Sequence, residues 1–358
     1  MTINLITQQA TTVATGELDQ LISIENVSGS NFRDTIFASL TSSVISARGG
    51  NENITGGLRS DVLRGDAGED FILSIGGIDI IDGGADFDTV SFQAFDAGSR
   101  FTIKNGQWVR EDPHGGVQSR VQNVESVVGT QGFDTFTVAA DFISNGDRFI
   151  NLRGGQVNDQ IQALGALGDV TIRADYCDAQ AGVIADLGDE FARSALPNDA
   201  ANIGFDTLIQ VMQVRGSHFG DQLLGSDNNV FESFRGQAGD DFIEGGAGGD
   251  RRIGSSGNDV LVGGEVGGGG DGVEDRFLFS SGSGLDTIAD FENGIDKIDL
   301  RGLNLETGLF PTFAPLASVI GEDYDGNATI SLGGENVIRL MGVTAAELDA
   351  SDFILADP

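Results

Sequence analysis

Residues 236–262 read GQAGDDFIE GGAGGDRRI GSSGNDVLV, three nine-residue units. Gly236, Gly245 and Gly254 hold the first place, Gly239, Gly248 and Gly257 the fourth, and Asp241, Asp250 and Asp259 the sixth. Glycines at fixed places supply backbone turns with positive φ. The x-U-x triplet after each aspartate, with U apolar in the first and third units, is too short for a helical turn but long enough for a strand whose U side chain faces inward. Stacked units of this kind bury a continuous apolar column that no single unit could bury alone.

The same period extends outward. From Gly29 the chain divides into GSNFRDTIF, ASLTSSVIS, ARGGNENIT, GGLRSDVLR, GDAGEDFIL, SIGGIDIID and GGADFDTVS. The eighth place is Ile36, Ile45, Ile54, Leu63, Ile72, Ile81 and Val90, and the sixth is Asp34, Asp61, Asp70, Asp79 and Asp88, with Ser43 and Glu52 in the other two units. GSHFGDQLL supplies Asp221, and a weaker block after Gly129 supplies Asp134 and Asp159. The reading divides the chain into lead-in strands over 1–28, a first repeat block over 29–91, a β insert over 92–128 and a weak block over 129–171. A second insert over 172–215, a main block over 216–283 and a capping and C-terminal secretion segment over 284–358 complete it.

Composition points the same way. With 54 glycines against 5 prolines in 358 residues, an ordinary helical or doubly wound protein is excluded. A net charge of -35 sets carboxylates against one another and makes divalent cations the obvious remedy. The linear sequence shows no basic stripe, which argues against nucleic acid and against anionic membranes. Cys177 is the one cysteine, so an intramolecular disulfide is excluded and a small buried or half-buried role is expected. Met1 to Ala10 has neither a basic start nor a long apolar run, so a Sec-type signal is not expected, and no 18-residue apolar stretch is long enough to span a bilayer.

These repeats resemble those of the RTX, or haemolysin-type, calcium-binding proteins, with GQAGDDFIE and GSSGNDVLV carrying the likeness most clearly. The resemblance implies an all-β parallel β-roll with β-rich inserts, several calcium ions as cofactors, and an extracellular protein handed to a type I secretion apparatus. Calcium takes six to eight oxygens at about 2.3–2.6 Å, which turn carbonyls closed by carboxylates can offer. In the family two repeats make one coil, which pairs Asp241 with Asp259, Asp61 with Asp79 and Asp70 with Asp88, and sets Asp250 toward Asp275 across the insert 265–272. Asp221 and the six glycines of 236–262 named above complete the candidate metal set. The alternative for all these aspartates is a solvated turn with Asx-type hydrogen bonds and no metal. Arg252 falls at the inward eighth place, so either its strand slips to bury Ile253 or the roll is locally broken. Residues 284–300 resemble the segment that caps RTX repeats, and the tail from Asn327 resembles the uncleaved export signal of the same proteins. Thr344 and Glu347 have capping-box spacing.

No catalytic constellation emerges. His114 and His218 are the only histidines and form no H-E-x-x-H, and no G-x-S-x-G occurs. Asp112-Pro113-His114 resembles a triplet of RTX-bearing alginate epimerases, although Pro and Gly-Gly there also read as an ordinary turn. Trp108 suits packing of the insert better than stacking on a sugar. The expectation is a non-catalytic, calcium-binding protein of the cell surface, matrix or adhesion type, with polysaccharide or a cell surface as candidate partners. The alternatives are an epimerase- or lyase-like enzyme and an exported host-directed effector.

Overall fold

The computed structural model describes residues 1–12, 14–104, 106–140, 142, 148–165, 168–264 and 270–356. Part of the expected insert 265–272 and the last two residues lie outside that set. The chain forms two compact units, one of residues 1–174 with 206–211 and the other of 175–205 with 212–358.

In the first unit the nine-residue period becomes alternating strands of two parallel sheets. Thr35–Phe37, Asn53–Thr55, Phe71–Leu73 and Thr89–Ser91 pair in one sheet through Ile36, Ile54, Ile72 and Val90. Val44–Ser46, Val62–Ala67 and Ile80–Ala85 pair in the other through Ile45, Leu63 and Ile81. All seven aliphatic residues are at most 1% exposed, so the register read from the sequence is the core. Burying each contributes about 1.5–3 kcal/mol. The stretch 92–128 supplies strands Arg100–Lys104, Gln107–Glu111 and Val117–Gln122, antiparallel to one another. Its outer members join the same sheet in parallel, Val117–Gln122 to Ile80–Ala85 and Arg100–Lys104 to Thr135–Ala139, so this insert lies within the coil. Phe101 stacks on Phe136 at 4.7 Å, and buried Trp108 packs on Phe142 at 6.0 Å. At the start of the unit Thr2–Asn4 pairs parallel with Thr35–Phe37 and antiparallel with Gln9–Thr11.

The second unit repeats the plan. Gln213–Arg215, Ser233–Ala238, Arg251–Ser256, Arg276–Leu278, Lys297–Asp299 and Phe353–Ile354 form one parallel sheet. Gln222–Leu224, Phe242–Glu244, Val260–Val262 and Leu285–Ile288 form the other, stacking Leu223, Ile243, Leu261 and Ile288. Residues 284–300 thus add a further coil. The covering layer comes later, from the antiparallel hairpin Ala328–Gly333 and Asn336–Leu340, whose second strand pairs with Leu285–Ile288. Thr344 N and Oγ1 both donate to Glu347 Oε2 at 2.8 Å, but the capping box opens only the 3-10 turn Ala345–Glu347.

Arg252 neither slips nor breaks the roll. It keeps the register Phe234, Arg252, Phe277 and is fully buried. No described helix is long and apolar enough to cross a membrane.

Candidate metal centre

Each sixth-place carboxylate ends a turn and is buried. At Asp61, Asp70, Asp79, Asp88, Asp241, Asp259 and Asp275 the carboxylate Oδ1 accepts the backbone N–H of the residue at the matching place one coil earlier, so the two-repeat coil fixes which acids meet. Asp61 N donates to Asp79 at 2.9 Å, Asp70 N to Asp88 at 2.8 Å, Asp241 N to Asp259 at 2.9 Å, and Asp250 N to Asp275 at 2.9 Å. All four pairs read from the sequence are therefore neighbours. The ladders also take in acids outside the candidate set: Glu52 N donates to Asp70 at 2.7 Å, Asp259 N to Asp286 at 3.0 Å, and Asp134 N to Asp159 at 2.7 Å.

The second carboxylate oxygen separates two kinds of turn. In one kind it is satisfied by the turn itself: Asp61 Oδ2 accepts from Gly57 N at 2.7 Å, Asp79 Oδ2 from Ser74 Oγ at 2.6 Å, and Asp221 Oδ2 from Ser217 N at 2.6 Å. Ser30 and Thr130 close the turns of Asp34 and Asp134 in the same way. In the other kind the backbone is left-handed at the second and fourth places. This holds at Arg48 and Gly50, Asp66 and Gly68, Gly84 and Asp86, Gln237 and Gly239, and Ser255 and Gly257. The oxygens that end these turns are buried without a hydrogen-bond partner: Glu52 Oε1 and Oε2, and Oδ2 of Asp70, Asp88, Asp241 and Asp259. Asp159 and Asp286 Oδ2 share that condition.

In the turns of Asp70, Asp241 and Asp259 the orphaned oxygen lies against the first-place glycine. A Cβ at Gly65, Gly236 or Gly254 would fall on Oδ2 of Asp70, Asp241 or Asp259 respectively. The same construction at Gly68 and Gly257 meets the carbonyls of Gly50 and Gly239 one coil earlier, so carbonyl oxygens crowd the turns.

A buried carboxylate oxygen with no partner is costly, and burial accordingly raises these groups. Burial, with repulsion from Asp221, Asp259 and Asp240, pushes Asp241 up to about 9. Burial and neighbouring acids likewise raise Asp88 and Glu52 to about 8, Asp286 to about 7 and Asp259 to about 6. Two stacks result, Glu52–Asp70–Asp88 in the first unit and Asp241–Asp259–Asp286 in the second. Among the described residues no three His, Cys, Asp or Glu side chains converge on one point. A cation here would take at most two carboxylates, from adjacent coils, with carbonyls making up the remainder. That donor set of hard oxygens fits calcium.

The Gly245–Asp250 turn has the same left-handed places, Gly246 and Gly248, but is filled differently. Arg252 lies 3.0 Å from Asp275 Oδ1 and 3.3 Å from Asp250 Oδ2, donates to the Gly263 carbonyl, and sits 5.3 Å from the Phe277 ring centre. A Cβ at Gly245 would fall on this guanidinium. The chain's own cation therefore neutralises the two acids that the sequence had set toward a metal. Burial raises Asp250 to about 8 even so, with Arg252 pulling it down.

The remaining sequence candidates lie apart from these stacks. His114 is exposed in a turn where Asp112 Oδ1 accepts from His114 N at 2.9 Å and Gly116 N at 3.0 Å. His218 is exposed, and Cys177 is half-buried with Arg215 Nη2 3.5 Å from its sulfur. Sequence reading passed over Glu52, Asp159 and Asp286 as ligands. The signal for Glu52 was present in its turn, where Gly50 holds the fourth place as in the best repeats.

Residues 216–353 match the family model of the serralysin (peptidase M10) C-terminal domain. No curated protein matches the chain. Among solved structures, the extracellular lipase LipA from Serratia marcescens is similar at 17% identity and a TM-score of 0.32, over 90% of this chain and 40% of the lipase. The chain thus spans 40% of that lipase's length. Its nine-residue repeats and two-repeat coils are of the RTX kind, and residues 216–353 are similar to the serralysin C-terminal domain.

Proposed function

We propose that this protein is exported through a type I apparatus, folds outside the cell as it binds several calcium ions, and serves as a non-catalytic component of the cell surface, matrix or an adhesive layer. The observation that carries the reading is the pair of stacks of partnerless buried carboxylate oxygens. Without a cation they oppose folding. With calcium, Glu52, Asp70 and Asp88 in one stack and Asp241, Asp259 and Asp286 in the other would hold it, assisted by turn carbonyls. Asp61, Asp79 and Asp221, whose oxygens are already satisfied, serve as structural closures in this reading. In a low-calcium cytosol the repelling carboxylates and glycine-rich turns keep the chain extended and threadable.

The surface role predicts that protein added to washed bacterial cells sediments with them in calcium and is released by chelator. Equal retention in both buffers, or none in calcium, contradicts it.

A further inference from the structure

Coiling in the second unit gathers arginines that the linear sequence keeps apart. Phe234, Arg252 and Phe277 point inward, which puts Arg235, Arg251 and Arg276 on the outer face of the same sheet. Arg251 is the register partner of Arg276, and Arg215 that of Arg235. Arg251, Arg276 and Arg301 line one cavity of about 490 Å³ together with Phe231 and Leu278. The acids at its rim are engaged: Asp250 by Arg252, Glu274 by Arg276 at 2.8 Å, and Asp299 by Arg301 at 2.7 Å.

Arg215 is likewise held by Asp175, and Lys297 Nζ turns back to the Ile295 carbonyl at 2.7 Å. Arg235 and Arg251 are different. Among the described residues neither guanidinium makes a hydrogen bond or ion pair. With the cavity's acids already engaged, two guanidiniums without a hydrogen bond or ion pair on one face favour an added anion in a chain of net charge -35.

We propose that this face binds an acidic polysaccharide, a linear chain with one carboxylate per sugar, through Arg235, Arg251 and Arg276, with Phe231 covering the apolar side of a ring. Guanidinium planes match carboxylates in a bidentate fork. Neighbouring strands set Arg251 and Arg276 in register about 4.8 Å apart, whereas Arg235 stands two residues further along the adjoining strand, opposite Ile253. That line of charge is sparse beside a DNA duplex, which carries one phosphate per ~1.7 Å and would meet the surrounding acids with most of its charge unneutralised. Phe231 is 55% exposed at the cavity and has an apolar ring to offer a sugar, a contact a phosphate surface does not use. The proposal rests on the reading of the protein as extracellular and calcium-loaded.

The test measures binding of a hexameric oligouronate by calorimetry in saturating calcium, with a neutral hexasaccharide as control and strand signal recorded in the same buffer. The expected result is binding of the uronate alone, about tenfold weaker in the Arg251→Gln/Arg276→Gln double variant and unchanged in Arg59→Gln/Arg100→Gln. If the double variant does not fold, Arg235→Gln carries the same expectation. A wild type that folds in calcium yet ignores the oligouronate overturns the proposal. So does undiminished binding by the stripe variants, or duplex DNA or anionic vesicles bound through the same arginines as tightly as the uronate. Folding is read from the strand signal, so failure of the calcium reading is visible separately from failure of the stripe.

Discussion

Sixth-place aspartates of identical sequence role have different chemistry because of the residue four places before them. The backbone N–H of Gly57, Ser217 or Thr130, none of them left-handed, closes the turn on Oδ2, whereas left-handed Asp66, Gln237 and Ser255 leave it open. The repeat period and the identity of the acids were legible in the sequence. The open or closed state was not, since it depends on the sign of one φ at residues such as Gln237 and Ser255 that seldom adopt it. Two substitutions separate the classes. Asp259→Asn keeps an Oδ1 acceptor for Asp241 N but loses the anionic oxygen, so the calcium midpoint should rise about tenfold. Asp61→Asn removes an oxygen already held by Gly57, so its midpoint should stay within about twofold of wild type. Calcium titrations of the two variants giving the reverse order would contradict the assignment. Arg252→Leu restores the aliphatic eighth place and leaves Asp250 and Asp275 without their cation. In calcium the vacated turn should take an additional ion, measured as a higher stoichiometry by equilibrium dialysis.

At the scale of the elements, strands and turns make opposite contributions. The aliphatic columns favour folding whatever the cation, and their register could be read directly from the eighth places. The insert strands at 100–122 were expected from alternation, but their place within the coil was not, because nothing local marks which edge of a hairpin continues a parallel sheet. The turn stacks oppose folding in a pH-dependent way. Unfolded carboxylates titrate near 3.8 for Asp and 4.5 for Glu, against about 9 for Asp241 and about 8 for Asp88 and Glu52 in the metal-free roll. A raised folded value means protons favour the fold, so this contribution is complete below the unfolded values and is lost as pH rises through 7 to 9. In chelator, strand signal should therefore be greater near about pH 5 than near about pH 8. Protons and calcium compete for the same oxygens, so the calcium midpoint should fall over the same rise in pH, as titrations at the two pH values would show.

For the whole molecule, a net charge of -35 and two carboxylate stacks make folding a question of cation supply. Each calcium site held at a hundredfold excess over its dissociation constant adds about 2.7 kcal/mol, so a few sites span the whole marginal stability of a typical domain. The fold class could be read from the nonapeptide. The arginine face could not, because winding alone brings Arg235, Arg251 and Arg276 onto one surface. The most direct test of the calcium switch is far-UV circular dichroism of the full chain titrated with calcium from excess chelator at neutral pH, with magnesium in parallel. The account predicts a weakly structured chain in chelator, a cooperative gain of strand signal with calcium, and little change with magnesium. Strand signal already complete in chelator and unaltered by calcium would contradict it.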